Sequence, residues 1–247
     1  GLIGENGSGK STVTSVFSGM QGFDSGSMEY MGKPWHPRSM HDALIHGVGM
    51  IVQESGTVPG ITVAENMFLN DSRFSKRGFV LGSEMVKAAQ RALDEIGANH
   101  IDARTVTGTL DMMDRKLVEV AKVMLHDPQV LVVDETTTAL SQHGRDIIYG
   151  LMERMKKEDK AVVFISHDLD EIIDKCDTLT VLRDGKIIRT FEKEDFDPDL
   201  IRTSMIGRQL QGDYYRSDVD ATHFSRVAVE VRDVSLPDRL NGVSFDA

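Results

Sequence analysis

The chain has 247 residues, 40% of them hydrophobic and 27% charged, with a formal charge of −11 and one cysteine. That composition supports a good-sized folded core, excludes a disulfide within the chain and points to a reducing compartment. The acidic balance argues against wrapping a nucleic acid backbone or using a polybasic membrane anchor. The apolar runs Val130–Val133 and Ala161–Ile165 are far shorter than the roughly 20 residues a membrane span needs.

In chain order, GLIG reads as a strand end, and Gly9 to about Met20 has the length and spacing of a helix. VGMIV at 48–52 is a buried strand candidate, followed by a mostly helical stretch from about Thr62 to His126 that looks like an inserted subdomain. Within it, Ser83–Ile96 sets Met85, Ala89, Leu93 and Ile96 on one side, and Leu117, Val120, Ala121 and Met124 do the same further on. VLVVD at 130–134 and AVVFIS at 161–166 are continuous β-branched runs, suited to strands covered on both faces of a parallel sheet. A helix is expected between them, over His143–Lys157. Thr178–Leu182 and Ile187–Phe191 flank Asp184-Gly185, a strong hairpin signal. This alternation predicts an α/β sheet with helices on both faces. Residues 209–226 are polar and read as a linker, and strand character returns at Val227. The chain begins in an apolar stub at Gly1 and ends at Ala247 in a strand-like stretch, so a fragment of a longer protein is expected.

GENGSGKST, from Gly4 to Thr12, carries the phosphate-loop pattern. Gly4, Gly7 and Gly9 free the backbone to turn its N–H groups inward, with Glu5, Asn6 and Ser8 between them. Lys10 supplies a point charge to the β and γ phosphates, Ser11 offers a hydroxyl to Mg²⁺, and the following helix aims its positive end at the same anion. Asp134 falls at the carboxyl end of a buried strand, where open α/β sheets bind ligands, and suits Mg²⁺ held through water. Glu135 is a second carboxylate that can position or deprotonate an attacking water. His167 ends AVVFISH on a strand expected beside VLVVD, and Gln53 ends VGMIVQ with an amide able to touch both metal and water. His36, His41 and His46 are five apart, which is not the i, i+4 spacing of a helical metal site, and are read as loop and helix residues. Cys176 reads as a small core filler.

This ordered set, with TALS at 138–141, resembles the ABC-type ATPase cassette. MIVQE (50–54), VPGITVAENMFL (58–69), VEVAK (118–122), VLRDGK (181–186) and MIGRQL (205–210) are similar to the ATP-binding subunit of bacterial carbohydrate importers of the ribose, galactose and arabinose kind. The resemblance implies a P-loop NTPase (RecA-like) α/β core over residues 1–208, with a helical subdomain at about 62–127. It also implies that the core lacks its first strands and the adenine-stacking aromatic upstream of Gly1. VAVEVRDVSLPDRLNGVSF, in the segment 227–247, looks like the start of a second cassette. The implied ligands are ATP and Mg²⁺, the latter at Ser11, Gln53 and Asp134, with Glu135, His167 and Gln53 as catalytic residues. The implied partners are the second cassette, membrane permease subunits and, through them, an extracytoplasmic sugar-binding protein, with no nucleic acid. The implied location is peripheral, on the cytoplasmic face of the cell membrane.

Two departures from that family stand out. Asp-Glu is normally followed by Pro, whereas Thr136 stands here, and only a local turn change is expected. The signature motif LSxGQ aligns with Leu110, Asp111, Met112, Met113 and Asp114, so its serine, glycine and glutamine are all replaced. Asp111 reads as a helix N-cap with Asp114 near the capping-box position, which is good helix chemistry and poor γ-phosphate chemistry. Three readings follow: a sugar-import ATPase with one impaired site, a nucleotide-binding regulatory cassette without hydrolysis, and a soluble tandem-cassette ATPase acting on ribosomes.

Overall fold

The computed structural model describes residues 1–52, 56–69, 75–76, 79–80, 82–206, 227, 229–236 and 240–246. It divides into two units, Gly1–Arg208 and Gln209–Ala247. In chain order the first unit holds β1 (Leu2–Ile3), α1 (Lys10–Phe17), β2 (Glu29–Tyr30), β3 (Lys33–Pro34), α2 (Met40–Ile45), β4 (Val48–Ile51), α3 (Val63–Met67), β5 (Ser75–Lys76) and β6 (Phe79–Val80). It continues with α4 (Gly82–Glu95), α5 (Met112–Met124), β7 (Val130–Asp134), α6 (Gln142–Lys157), β8 (Ala161–Ile165), α7 (Leu169–Lys175), β9 (Thr178–Arg183), β10 (Lys186–Glu192) and α8 (Pro198–Ile206).

Six strands form one sheet in the order β10-β9-β1-β8-β7-β4. Neighbours pair in parallel except β10, which returns from β9 as an antiparallel hairpin. The hairpin turns at Asp184-Gly185, where both residues have positive φ. The apolar runs of β7 and β8 are buried as their composition demands: Leu131, Val132, Val133, Phe164 and Ile165 are at most 1% exposed. Each such side chain contributes roughly 1.5–3 kcal/mol relative to exposure. β8 lies between β1 and β7, so the segment leaving its carboxyl end opens between the phosphate-loop strand and the Asp134 strand.

The expected subdomain contains α3, α4 and α5, together with the two-stranded β5–β6 ribbon that helical periodicity does not reveal. Thr62 caps α3 in a reciprocal capping box with Glu65. Helix α5 buries Leu117, Val120 and Ala121 as expected, with Met124 half-buried. It also buries Val118 and the charged pair Lys116 and Glu119, so it is enclosed on more than one side. Cys176 is a free buried thiol in the main core. His36 stacks on Phe23, and His46 ends α2.

In the second unit, β11 (Glu230–Leu236) and β12 (Leu240–Asp246) form an antiparallel hairpin, with Arg232 bridging Glu230 and Asp246. The polar segment 209–226 and Gln53 lie outside the described residues, as do 207–210 of the MIGRQL stretch.

Candidate functional site

The loop between β1 and α1 is shaped by its glycines and held from outside by the β9–β10 hairpin. A Cβ on Gly4 would stand 2.0 Å from the Leu182 carbonyl oxygen and 2.6 Å from Ser8 Oγ, so only glycine lets the two segments close. The Gly185 N–H donates to the Ser8 carbonyl at 3.0 Å, bracing the loop. Gly9 caps α1 at φ 104° with no side-chain cap, which leaves the first N–H groups of the helix to the loop's concave side. Glu5, Asn6 and Gly7 form the exposed outer turn, and Thr12 is exposed on α1.

Lys10 is 5% exposed, and its Nζ donates to the Gly4 carbonyl at 2.8 Å and the Glu5 carbonyl at 3.1 Å. The buried hydroxyl of Ser8 has no hydrogen-bond partner. A buried hydroxyl, an ammonium, uncapped helix N–H groups and a cradle that a Cβ would fill form a donor set matched to phosphate oxygens.

Across the sheet, Ser11 Oγ donates to Asp134 Oδ1 at 3.4 Å. Asp134 is 6% exposed, and burial pushes its carboxyl above the usual carboxylate range. The Glu135 charge acts in the same direction, while the Ser11 hydroxyl and Lys10 oppose it. A divalent cation at Ser11 and Asp134 fits this chemistry, because hard cations take oxygen donors.

Glu135 adopts the left-handed region at φ 45°, an uncommon conformation for a residue with a side chain. Its N–H donates to the Ile165 carbonyl at 3.0 Å. Residues Thr136–Ala139 form a short 3₁₀ turn, and Thr136 Oγ1 donates to the Asp134 carbonyl at 3.2 Å. Thr136, the position of the expected local change, donates where proline has no hydroxyl to offer. His167 Nδ1 comes within 3.9 Å of Glu135 Oε2. Lys10, Ser11, Asp134, Glu135 and His167 thus converge at one edge of the sheet, where three neighbouring strands end.

The stretch aligned with the signature lies at the start of α5. Asp111 is its N-cap, and its carboxylate accepts the Asp114 N–H at 2.8 Å. The Asp114 carboxylate does not close a capping box; its Oδ1 lies 2.8 Å from His100 Nε2. Met113 packs against the core, and its sulfur accepts the Ser141 hydroxyl at 2.8 Å.

Sequence reasoning missed several contributors. Ser166, Glu171 and Tyr149 form a hydrogen-bonded group beside His167. The Asp184-Gly185 signal announced a hairpin but not its grip on the phosphate loop. No local motif marks either feature: the brace joins residues distant in the chain, and the Ser166–Glu171–Tyr149 group joins three elements at spacings that carry no known signature.

Comparison with known proteins agrees with this geometry. The ABC transporter family model matches residues 1–138. The ribose import ATP-binding protein of Bacillus licheniformis is 32% identical over 244 residues, covering 99% of this chain and 49% of the relative. The arabinose import ATP-binding protein of Rhizobium meliloti is 37% identical over 212 residues, covering 85% of this chain and 41% of the relative. The chain therefore spans about half the length of the curated relatives it matches. An ATP-binding cassette of an ABC transporter, solved in its ADP conformation, superimposes with a TM-score of 0.68 at 24% identity, over 83% of this chain and 85% of that one. The fold, the phosphate loop and these relatives agree: the chain belongs to the ABC transporter family.

Proposed function

We propose that this chain is part of the ATP-hydrolysing subunit of a bacterial sugar importer. In the full-length protein a second cassette completes two ATP sites, which drive a membrane permease fed by an extracytoplasmic sugar-binding protein. The observation that carries the reading is the convergence of Lys10, the Ser11–Asp134 contact and the Glu135–His167 approach at adjoining strand ends. Lys10, Ser8 and the α1 N–H groups bind the phosphates. Ser11 and Asp134, with Gln53 as the sequence suggests, would hold Mg²⁺, which would supply positive charge against the phosphates. Glu135 accepts the proton of the attacking water, and His167 stands beside it to hold that geometry.

A cleft of about 500 Å³, lined by Leu44, Met50, Val52, Gly56, Val118 and Lys122, supports a permease contact on the face where the Gln53 segment leaves and re-enters the described chain. Among the described residues no helix is long and apolar enough to cross a membrane; the peripheral, cytoplasmic-face placement follows from the import role of the relatives.

The two sites are unequal in this reading. One joins the phosphate loop of this chain to the signature of the second cassette and hydrolyses ATP. The other uses the stretch Leu110–Asp114, where the Asp111 cap takes the Asp114 N–H and sets a carboxylate beside the helix start that a γ-phosphate needs. Two like charges about 5 Å apart repel by roughly 3 kcal/mol at an effective dielectric near 20, enough to impair that site. The same cap favours the second reading, a regulatory cassette that binds ATP without hydrolysis. ATP turnover by the full-length protein with its permease separates the two. Glu135→Gln should lower turnover by at least about 100-fold while ATP still binds, and unchanged turnover overturns the assignment.

A further inference from the structure

His167 is 59% exposed at its side chain, so its position against Glu135 depends on the backbone that carries it. That backbone is tied down on both sides. Ser166, fully buried, accepts the Asp168 N–H on its hydroxyl at 3.1 Å and donates the same hydroxyl to Glu171 Oε2. Asp168 Oδ1 accepts the N–H groups of Asp170 at 3.0 Å and Glu171 at 3.2 Å, capping α7. The other oxygen of Glu171 accepts the Tyr149 hydroxyl from α6. A phenol is protonated at neutral pH and donates here; burial and the hydrogen bond to Glu171 raise its pKa further, and Lys175 covers its ring at 4.7 Å.

One carboxylate thus joins β8, α6 and α7 around the turn bearing His167. The residue before Ser166 also matters: the Ile165 carbonyl receives the Glu135 N–H. The segment 165–168 therefore locates both side chains of the pair 3.9 Å apart.

We propose that Glu171 is a positioning residue for hydrolysis. It acts through Ser166, with Tyr149 behind it, to fix His167 against Glu135. This rests on the reading of Glu135 and His167 as the hydrolytic pair. Carboxylate acceptance of two hydroxyls gives short, charge-assisted bonds. A displacement of about 1 Å at a reacting group can cost about 100-fold in rate, so a turn this closely tied sets kcat rather than nucleotide affinity.

The test uses the full-length protein with its permease. Ser166→Ala should lower kcat by about 10- to 100-fold and leave the KM for ATP within about twofold. Glu171→Gln, which offers one carbonyl where two acceptors are needed, should act in the same direction and serves if Ser166→Ala fails to fold. Ser166→Thr keeps the hydroxyl and should restore most of the rate. The decisive arm is the His167→Ala background, where adding either substitution should change the residual rate by less than about twofold. Wild-type kcat in both single variants, or an equal further loss in the His167→Ala background, overturns the proposal. If His167→Ala alone keeps wild-type turnover, the functional reading fails first and this inference with it.

Discussion

The Asp111 carboxylate accepts the backbone N–H of Asp114 at 2.8 Å in the first turn of α5. This contact satisfies one of the four unpaired donors of the helix start and, in the proposed reading, puts negative charge where the aligned signature would receive a phosphate. In that reading local stability and phosphate recognition compete for the Asp114 N–H, which the carboxylate takes here.

Repair of that stretch is therefore informative. In the full-length protein, Asp111→Ser, Met113→Gly and Asp114→Gln together should tighten ATP binding at the second site by at least about tenfold, as expected for removing repulsion worth a few kcal/mol. Equilibrium dialysis would count the bound nucleotides. Serine also caps helices, so the cap itself should cost little; the stability loss, about 1 kcal/mol or more, should come from Met113→Gly, which puts glycine in the helix and removes core packing. Unchanged affinity would mean that the signature stretch does not limit this site.

Asp134 should leave a pH signature in the nucleotide-free protein. Its folded-state pKa is raised, chiefly by burial, so the folded state favours the protonated acid and the ionised form weakens the fold. That penalty is complete above the raised pKa and disappears as pH falls to the ordinary carboxylate range. Asp134→Asn removes it. With a chelator present, the variant should melt above the wild type at pH 7, and the gap should close toward about pH 4. Mg²⁺ with ATP should stabilise the wild type more than the variant, which keeps its phosphate donors but loses a metal-facing carboxylate. A gap that widens as pH falls would contradict the sign.

Lys116 and Glu119 form a buried ion pair at 2.6 Å, and Lys116 also donates to the Val52 carbonyl at 2.7 Å. Glu119 accepts the Gly56 N–H. One helix thus holds both borders of the segment containing Gln53. Lys116→Met leaves a buried carboxylate without its cation and should cost about 3–5 kcal/mol in urea melts. Adding Glu119→Gln should recover most of that loss. Equal stability of the single and double variants would show that the pair is not coupled.

The candidate site was legible in the sequence wherever chemistry and local pattern coincide. The phosphate loop, VLVVDE and AVVFISH each place polar residues at the end of a buried strand, and Lys10, Asp134 and His167 could be nominated from that without tertiary information. The strand order follows only in part: β8 is expected beside β7 and pairs with it, but β-branched runs state burial and do not name the neighbour on the other side. The placement of β1 against β8 and the Gly185 brace on Ser8 depend on contacts across most of the chain. The Tyr149–Glu171–Ser166 group, though closer in sequence, joins three elements at spacings that no local motif marks. Each residue alone reads as an ordinary polar position, and only packing brings the three together.

If the ATP site built on this phosphate loop is the one that hydrolyses, the two lysines of the full-length protein are unequal. Turnover with the permease should be compared between Lys10→Ala and alanine at the corresponding lysine of the second cassette. Lys10→Ala should remove at least about 99% of turnover, as expected for loss of a phosphate-site charge, while the second-cassette variant keeps most of it. Equal losses, or the reverse order, would show that the working site lies elsewhere.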